Sequence, residues 1–118
     1  VMERSAMLEK RSHIILLKDF YGPLLTEKQQ DVMNLHYEND WSLAEIAEHM
    51  QITRQAVYDI LKRAEKSLQV YENRLGLVSR FVGIRCRLHE VYELWQNQTE
   101  GADKEKVLQI LREISDML

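Results

Sequence analysis

Residues Ser42–Leu68 read SLAEIAEHMQITRQAVYDILKRAEKSL. Two helical patterns meet there across a very short turn. Ser42 and Glu45 stand at capping-box spacing, with Trp41 and Ile46 placed as a hydrophobic staple around them. Gln51 and Ile52 make the turn, Thr53 caps the next helix, and Ile52 and Val57 repeat the staple spacing. Two successive helix starts are thus pinned, and pinning fixes the angle between the helices. Leu43, Ile46 and Ala47 face inward from the first helix, Val57 and Leu61 answer from the second, and Ala44 and Ala47 permit close approach. The turn carries Gln51 where glycine is common, so Gln51 has to reach the backbone angles of a turn. The pattern predicts a helix-turn-helix, with a bracing helix over residues 43–50 and a recognition helix over 54–75.

Removing the buried seam of the second helix leaves Arg54, Gln55, Tyr58, Asp59, Lys62 and Lys66 outward, with Arg63 to one side. Arg54 and Gln55 lie at the N-terminal end, which meets base edges when such a helix enters a major groove. Arginine pairs with guanine and glutamine with adenine, each through two bonds. Tyr58 suits a phosphate or a thymine methyl, while Lys62, Arg63 and Lys66 suit phosphate. Asp59 is repelled by phosphate unless it accepts from cytosine N4 or pairs with a neighbour such as Arg63. The same composition also fits a solvated helix face.

Outward from this element the chain stays helical. A helix is expected from about Arg4 to Tyr21, with Met7, Ile14, Leu17 and Tyr21 on one stripe, ended by Gly22-Pro23. Thr26 and Gln29 form a capping box for the next, with Val32 and Leu35, and more loosely Met33 and Tyr37, on its buried face. Val57, Leu61, Ala64, Leu68, Tyr71 and Leu75 alternate steps of four and three, a heptad seam. Gly76 breaks it, and a second seam runs through Leu77, Phe81, Ile84, Leu88, Val91 and Trp95, flanked by Val78, Val82 and Tyr92. A polar loop over 96–101 and a last helix from about Asp103 to Leu118, with Val107, Leu111, Ile114 and Leu118 inward, complete the pattern. The expected class is all-α, one compact domain overall. Residues 1–75 hold the first helix and the helix-turn-helix, and residues 76–118 form a bundle-like tail. That tail either packs against the first helix or forms a homodimer interface.

The bulk properties agree. The chain has 118 residues, 45% hydrophobic and 30% charged, with one proline and four glycines. A chain of this size hides roughly 65% of its unfolded surface. Its longest apolar run, IILL at Ile14–Leu17, is far from a bilayer span. VMERSAMLEKR at the start carries charge where a secretory leader needs an apolar run, so the cytoplasm is expected, without membrane insertion. Cys86 is the single cysteine, expected as packing, and with His89 offers two ligands where a zinc site needs more. No nucleotide-binding, serine-hydrolase or zinc-protease motif is present, so no enzyme activity, metal or cofactor is expected. The net charge is -3, yet Arg54, Lys62, Arg63 and Lys66 stand against only Asp59 and Glu65 within Thr53–Ser67. An acidic chain can present one locally positive helix.

The segment LTEKQQDVMNLHYENDWSLAEIAEHMQITRQAVYDILKRAEKSL resembles sigma-factor region 4, a wing-free helix-turn-helix that reads a promoter element. The marks are L-T-x-x-Q, S-L-x-E-I-A, the I-T-R turn and V-x-x-x-L. More narrowly, LLKDFYGPLLTEKQ with SLAEIAE and RQAVYD resembles the YlxM family of helix-turn-helix proteins of Gram-positive bacteria, over roughly the first 75 residues. The sigma likeness implies DNA contact at Thr53, Arg54, Gln55, Tyr58, Lys62 and Arg63. The family likeness implies a small cytoplasmic transcription regulator, tied by gene neighbourhood to the signal recognition particle pathway. The partner expected first is double-stranded DNA, with the RNA or GTPase protein of that particle as the alternative.

Overall fold

The computed structural model describes residues 2–96 and 102–118, with side chains over 7–96 and 104–118. The polar loop expected over 96–101 lies, apart from Gln96, outside the described residues. Helix α1 (Met2–Tyr21) is followed by a 3-10 turn (Gly22–Leu24), and α2 (Glu27–Met33) runs into a π-helical turn (Asn34–Glu38). Then come α3 (Leu43–Met50), α4 (Arg54–Leu75), α5 (Leu77–Gln96) and α6 (Ala102–Met117). Among the described residues there is no strand, so no wing accompanies the helix-turn-helix, and no helix is long and apolar enough to cross a membrane. The helices group into two compact units, Val1–Gly76 and Leu77–Leu118.

In the first unit α4 is the central helix, packed on α1, α2 and α3. Ile14, Leu17 and Tyr21 reach the core from α1, Val32 and Met33 from α2, Ile46 and Ala47 from α3, and Val57, Leu61, Ala64 and Leu68 from α4. Each fully buried side chain of this kind contributes about 1.5–3 kcal/mol of transfer free energy. The stripe expected on α1 is shorter than its periodicity suggests, because Met7 is 72% exposed. On α2 the fully buried partner of Val32 is Met33, and Leu35 is only half-buried. Leu75 leaves the α4 seam and is exposed, one residue before the helix stops. Gly76 provides that stop: it sits at φ 63° and donates its N–H to Glu72 O at 2.8 Å. Nothing lies within 4 Å of where its Cβ would be, so glycine serves the backbone angle here and not close packing.

Polar contacts tie the long-range pairings. Lys18, buried on α1, pairs with Glu38 at the end of the π-helical turn at 2.5 Å. Arg11 donates to the carbonyls of His36 and Tyr37, both at 3.4 Å, satisfying acceptors that a helix end leaves open. Its guanidinium also lies 5.0 Å from the centre of the Tyr37 ring.

In the second unit α5 packs on α6. Gly83 admits Met117 closely, since a Cβ there would stand 2.9 Å from the methionine methyl. Arg87 pairs with Glu113 across the two helices at 3.4 Å. The seam expected on α5 is not a buried one: Leu77, Phe81 and Leu88 are exposed and Trp95 is 76% exposed, whereas Val78 is buried. On α6 the buried residues are Ile110 and Ile114, not Leu111 and Leu118. A pair of helices covers one stripe of each, so a wide apolar stripe exceeds what one partner helix covers. Cys86 is exposed on α5 and is not a packing residue.

Candidate nucleic-acid interface

The reading element starts with its turn. Gln51 ends α3 in the left-handed conformation, φ 58° and ψ 44°, and so performs the task usually given to glycine. Its N–H and that of Ile52 return to the last turn of α3, with Ile52 N donating to Ala47 O at 3.1 Å. The chain then turns into Thr53, whose Oγ1 accepts from Ala56 N at 3.0 Å and caps α4. Both expected capping boxes, Thr26 with Gln29 and Ser42 with Glu45, are present with reciprocal bonds. Ile46 and Val57 are fully buried between the two helices. Ala47 provides the close approach, while Ala44 is exposed and takes no part in it. These restraints hold the axis of α4 against α3 and send one face of α4 into solvent.

Thr53, Arg54, Gln55, Tyr58, Lys62 and Arg63 are all exposed. They do not form one cluster. Thr53 Oγ1 is engaged by its cap. Arg54 and Gln55 occupy the first turn. Tyr58 and Lys62 sit on one flank, the Lys62 ammonium lying 5.4 Å from the Tyr58 ring centre, beside an open groove of about 510 Å³ that Met7, Leu8 and Tyr37 help to line. Arg63 lies on the other flank with Lys66, beside a groove of about 400 Å³ that also involves Gln29 and Tyr71. One residue along a helix is a rotation of about 100°, so the neighbours Lys62 and Arg63 straddle the outward face.

The carboxylates of α4 are each given a partner. Asp59 does not take Arg63; its Oδ1 accepts from Gln55 Nε2 at 3.0 Å, one helical turn back. Glu65 accepts the Tyr37 hydroxyl at 2.6 Å and pairs with Lys62 at 3.5 Å. Glu72 accepts the Tyr21 hydroxyl at 2.6 Å. Burial, together with the hydrogen bond and the charge of Glu65, pushes the Tyr37 phenol well above its ordinary pKa. Among the described residues, Arg54, Arg63 and Lys66 make no hydrogen bond or ion pair. Arg54, Arg63 and Lys66 are therefore uncommitted along the first four turns of α4, as is Arg74 in its last turn.

Tyr37 and Glu65, which brace Lys62, are the part of the site that residue patterns do not disclose. The Lys62–Glu65 pair is visible as an i, i+3 spacing, but the separation of 28 positions between Tyr37 and Glu65 leaves no local signal. Among the described residues no group of three or more His, Cys, Asp or Glu side chains is placed to hold a metal ion.

Comparison with known proteins agrees with this geometry. The family model described as "Putative helix-turn-helix protein, YlxM / p13 like" matches residues 8–114. A UPF0122 protein of Thermoanaerobacter sp. (strain X514) is 45% identical over 100 residues, which cover 85% of this chain and 86% of the relative. One from Desulforamulus reducens is 52% identical over 88 residues, 75% of each chain. One from Geobacillus kaustophilus is 40% identical over 111 residues, 94% of this chain and 99% of the relative. The match spans both units, and the chain belongs to the UPF0122 family of YlxM/p13-like helix-turn-helix proteins.

Proposed function

We propose that the protein is a DNA-binding transcription regulator that inserts the N-terminal part of α4 into a major groove. The observation that carries this reading is the set of uncommitted cations, Arg54, Arg63 and Lys66, on the exposed face of a helix whose start is held by a left-handed turn and a threonine cap. A major groove is about 12 Å wide and bounded by a phosphate chain on each side. Cations on both flanks of one helix suit that arrangement, with Lys62 meeting one strand, Arg63 and Lys66 the other, and Arg54 and Gln55 the base edges between them. Engagement of Glu65 and Glu72 by tyrosine hydroxyls keeps those carboxylates off the outward face.

A second copy of the chain is the partner that the C-terminal unit fits. Leu88 and Trp95 keep heptad spacing on α5 while exposed, and such a seam is completed by another helix of matching period. A paired reader contacts two half-sites and so gains specificity.

The test is retention on the full chain. Fragmented genomic duplex DNA and total cellular RNA are offered at moderate salt, and the bound fraction is sequenced beside an Arg54→Ala/Lys62→Ala variant. Enrichment of a few duplex sites, lost in the variant, is the expected result. Enrichment of signal recognition particle RNA instead would transfer the protein to the targeting pathway, as would retention of that particle's GTPase without nucleic acid.

A further inference from the structure

We propose that Asp59 is a positioning residue that orients the Gln55 amide for adenine. This rests on the reading of α4 as a major-groove helix. A carboxylate on the leading, exposed part of such a helix is otherwise a liability, because it faces phosphate. Here its Oδ1 holds Gln55 Nε2 at 3.0 Å.

The chemistry of the pair sets the orientation. An ionised carboxylate only accepts hydrogen bonds, so the amide must turn its nitrogen towards Asp59. The flipped amide would place Oε1 against a carboxylate, acceptor against acceptor. Glutamine carries two N–H donors and one carbonyl acceptor. Adenine offers one acceptor, N7, and one donor, N6, on its major-groove edge. One N–H and the carbonyl of Gln55 satisfy that edge, and the surplus N–H is the one Asp59 takes. The side chain is then held in one amide orientation before DNA arrives, and less rotamer freedom is lost on binding. The negative charge weakens attraction to any duplex while the held amide favours one base. Removing Asp59 therefore moves general affinity and base preference in opposite directions.

The experiment selects duplexes from a randomised library with the full chain, comparing wild type, Gln55→Ala, Asp59→Ala, Asp59→Asn and the Gln55→Ala/Asp59→Ala double variant. Both side chains are exposed, and circular dichroism melts check that each variant is folded. The wild-type chain is expected to favour adenine at one position by about tenfold or more, and Gln55→Ala to lose that preference. Asp59→Ala loses most of the preference at the same position while binding random duplex more tightly. Asp59→Asn, whose amide can accept or donate and so no longer fixes the Gln55 orientation, keeps only part of the preference, and the double variant is no less selective than Gln55→Ala. Full adenine preference in Asp59→Ala, or no position that depends on Gln55, overturns the proposal and leaves α4 as a duplex reader. Failure of the wild-type chain to enrich any duplex removes the underlying reading and this inference with it.

Discussion

The Tyr37 hydroxyl donates to Glu65 Oε1 at 2.6 Å, joining the π-helical turn after α2 to the middle of α4. Glu65 in turn pairs with Lys62, so a half-buried phenol stands behind a cation of the proposed DNA face. The proton of Tyr37 is held more tightly in the folded chain than in the unfolded one, where the phenol titrates near 10.0. A raised folded value means that the stabilisation is complete below about pH 10 and fades as pH rises beyond it. Tyr37→Phe is expected to lower stability at neutral pH by about 1–2 kcal/mol and to flatten the decline of stability above about pH 10. Urea melts at a series of alkaline pH values measure both effects.

Gln51 carries the positive φ of the turn at the expense of steric strain. Gln51→Gly is expected to stabilise the fold by up to about 1 kcal/mol and to leave duplex binding intact, since no bond of the Gln51 side chain is needed to hold the turn. Thermal melts report the gain. A loss of stability would mean that the flexibility glycine adds to the unfolded chain outweighs the relief of strain.

Thr53 has a structural task that its place at the start of a reading helix obscures. Thr53→Ala removes the acceptor of Ala56 N and is expected to cost about 1 kcal/mol. Thr53→Ser, which keeps the acceptor, should recover most of it. If Thr53→Ala melts with the wild type but binds duplex poorly while Thr53→Ser binds well, the hydroxyl serves DNA contact instead of the cap.

Arg63 and Lys66 lie together on one flank of α4. Neutralising both as Arg63→Gln/Lys66→Gln is expected to weaken binding to all duplexes alike and to reduce the salt slope of log K by about two. Sequence preference should be unchanged. Titrations over a range of salt concentrations separate this from a base contact, whose loss changes preference and not the slope.

The exposed face of α5 predicts self-association. Leu88→Glu places a charge at an exposed position, so it should leave the melting of the separate chain little changed while shifting sedimentation from dimer towards monomer. A wild-type chain that sediments as a monomer at all concentrations would leave that face without a second copy.

Much of the architecture is legible locally. Capping boxes at Thr26 and Ser42, the threonine cap at Thr53 and the glycine stop at Gly76 are written within four residues each, because helix ends are satisfied by near neighbours. The outward face of α4 follows from a seam four residues deep, Val57, Leu61, Ala64 and Leu68, since helix periodicity assigns the opposite side to solvent. Periodicity also proposes more burial than the neighbouring helices supply. Met7, Leu75 and the α5 seam have the right spacing, and only the number of neighbouring elements decides whether such a stripe is covered.

Helix identity, boundaries and the polarity of the reading face were therefore decided by short-range chemistry along the chain. The commitments of the charged groups were decided by the tertiary structure. Tyr37 reaches Glu65, Tyr21 reaches Glu72 and Arg11 reaches the carbonyls of the π-helical turn over 28, 51 and at least 25 residues. Those pairings depend on which helices pack together. Folding brings the tyrosine hydroxyls to the α4 carboxylates, and it leaves Arg54, Arg63 and Lys66 unpaired on the surface, which no local pattern distinguishes from an ordinary solvated face.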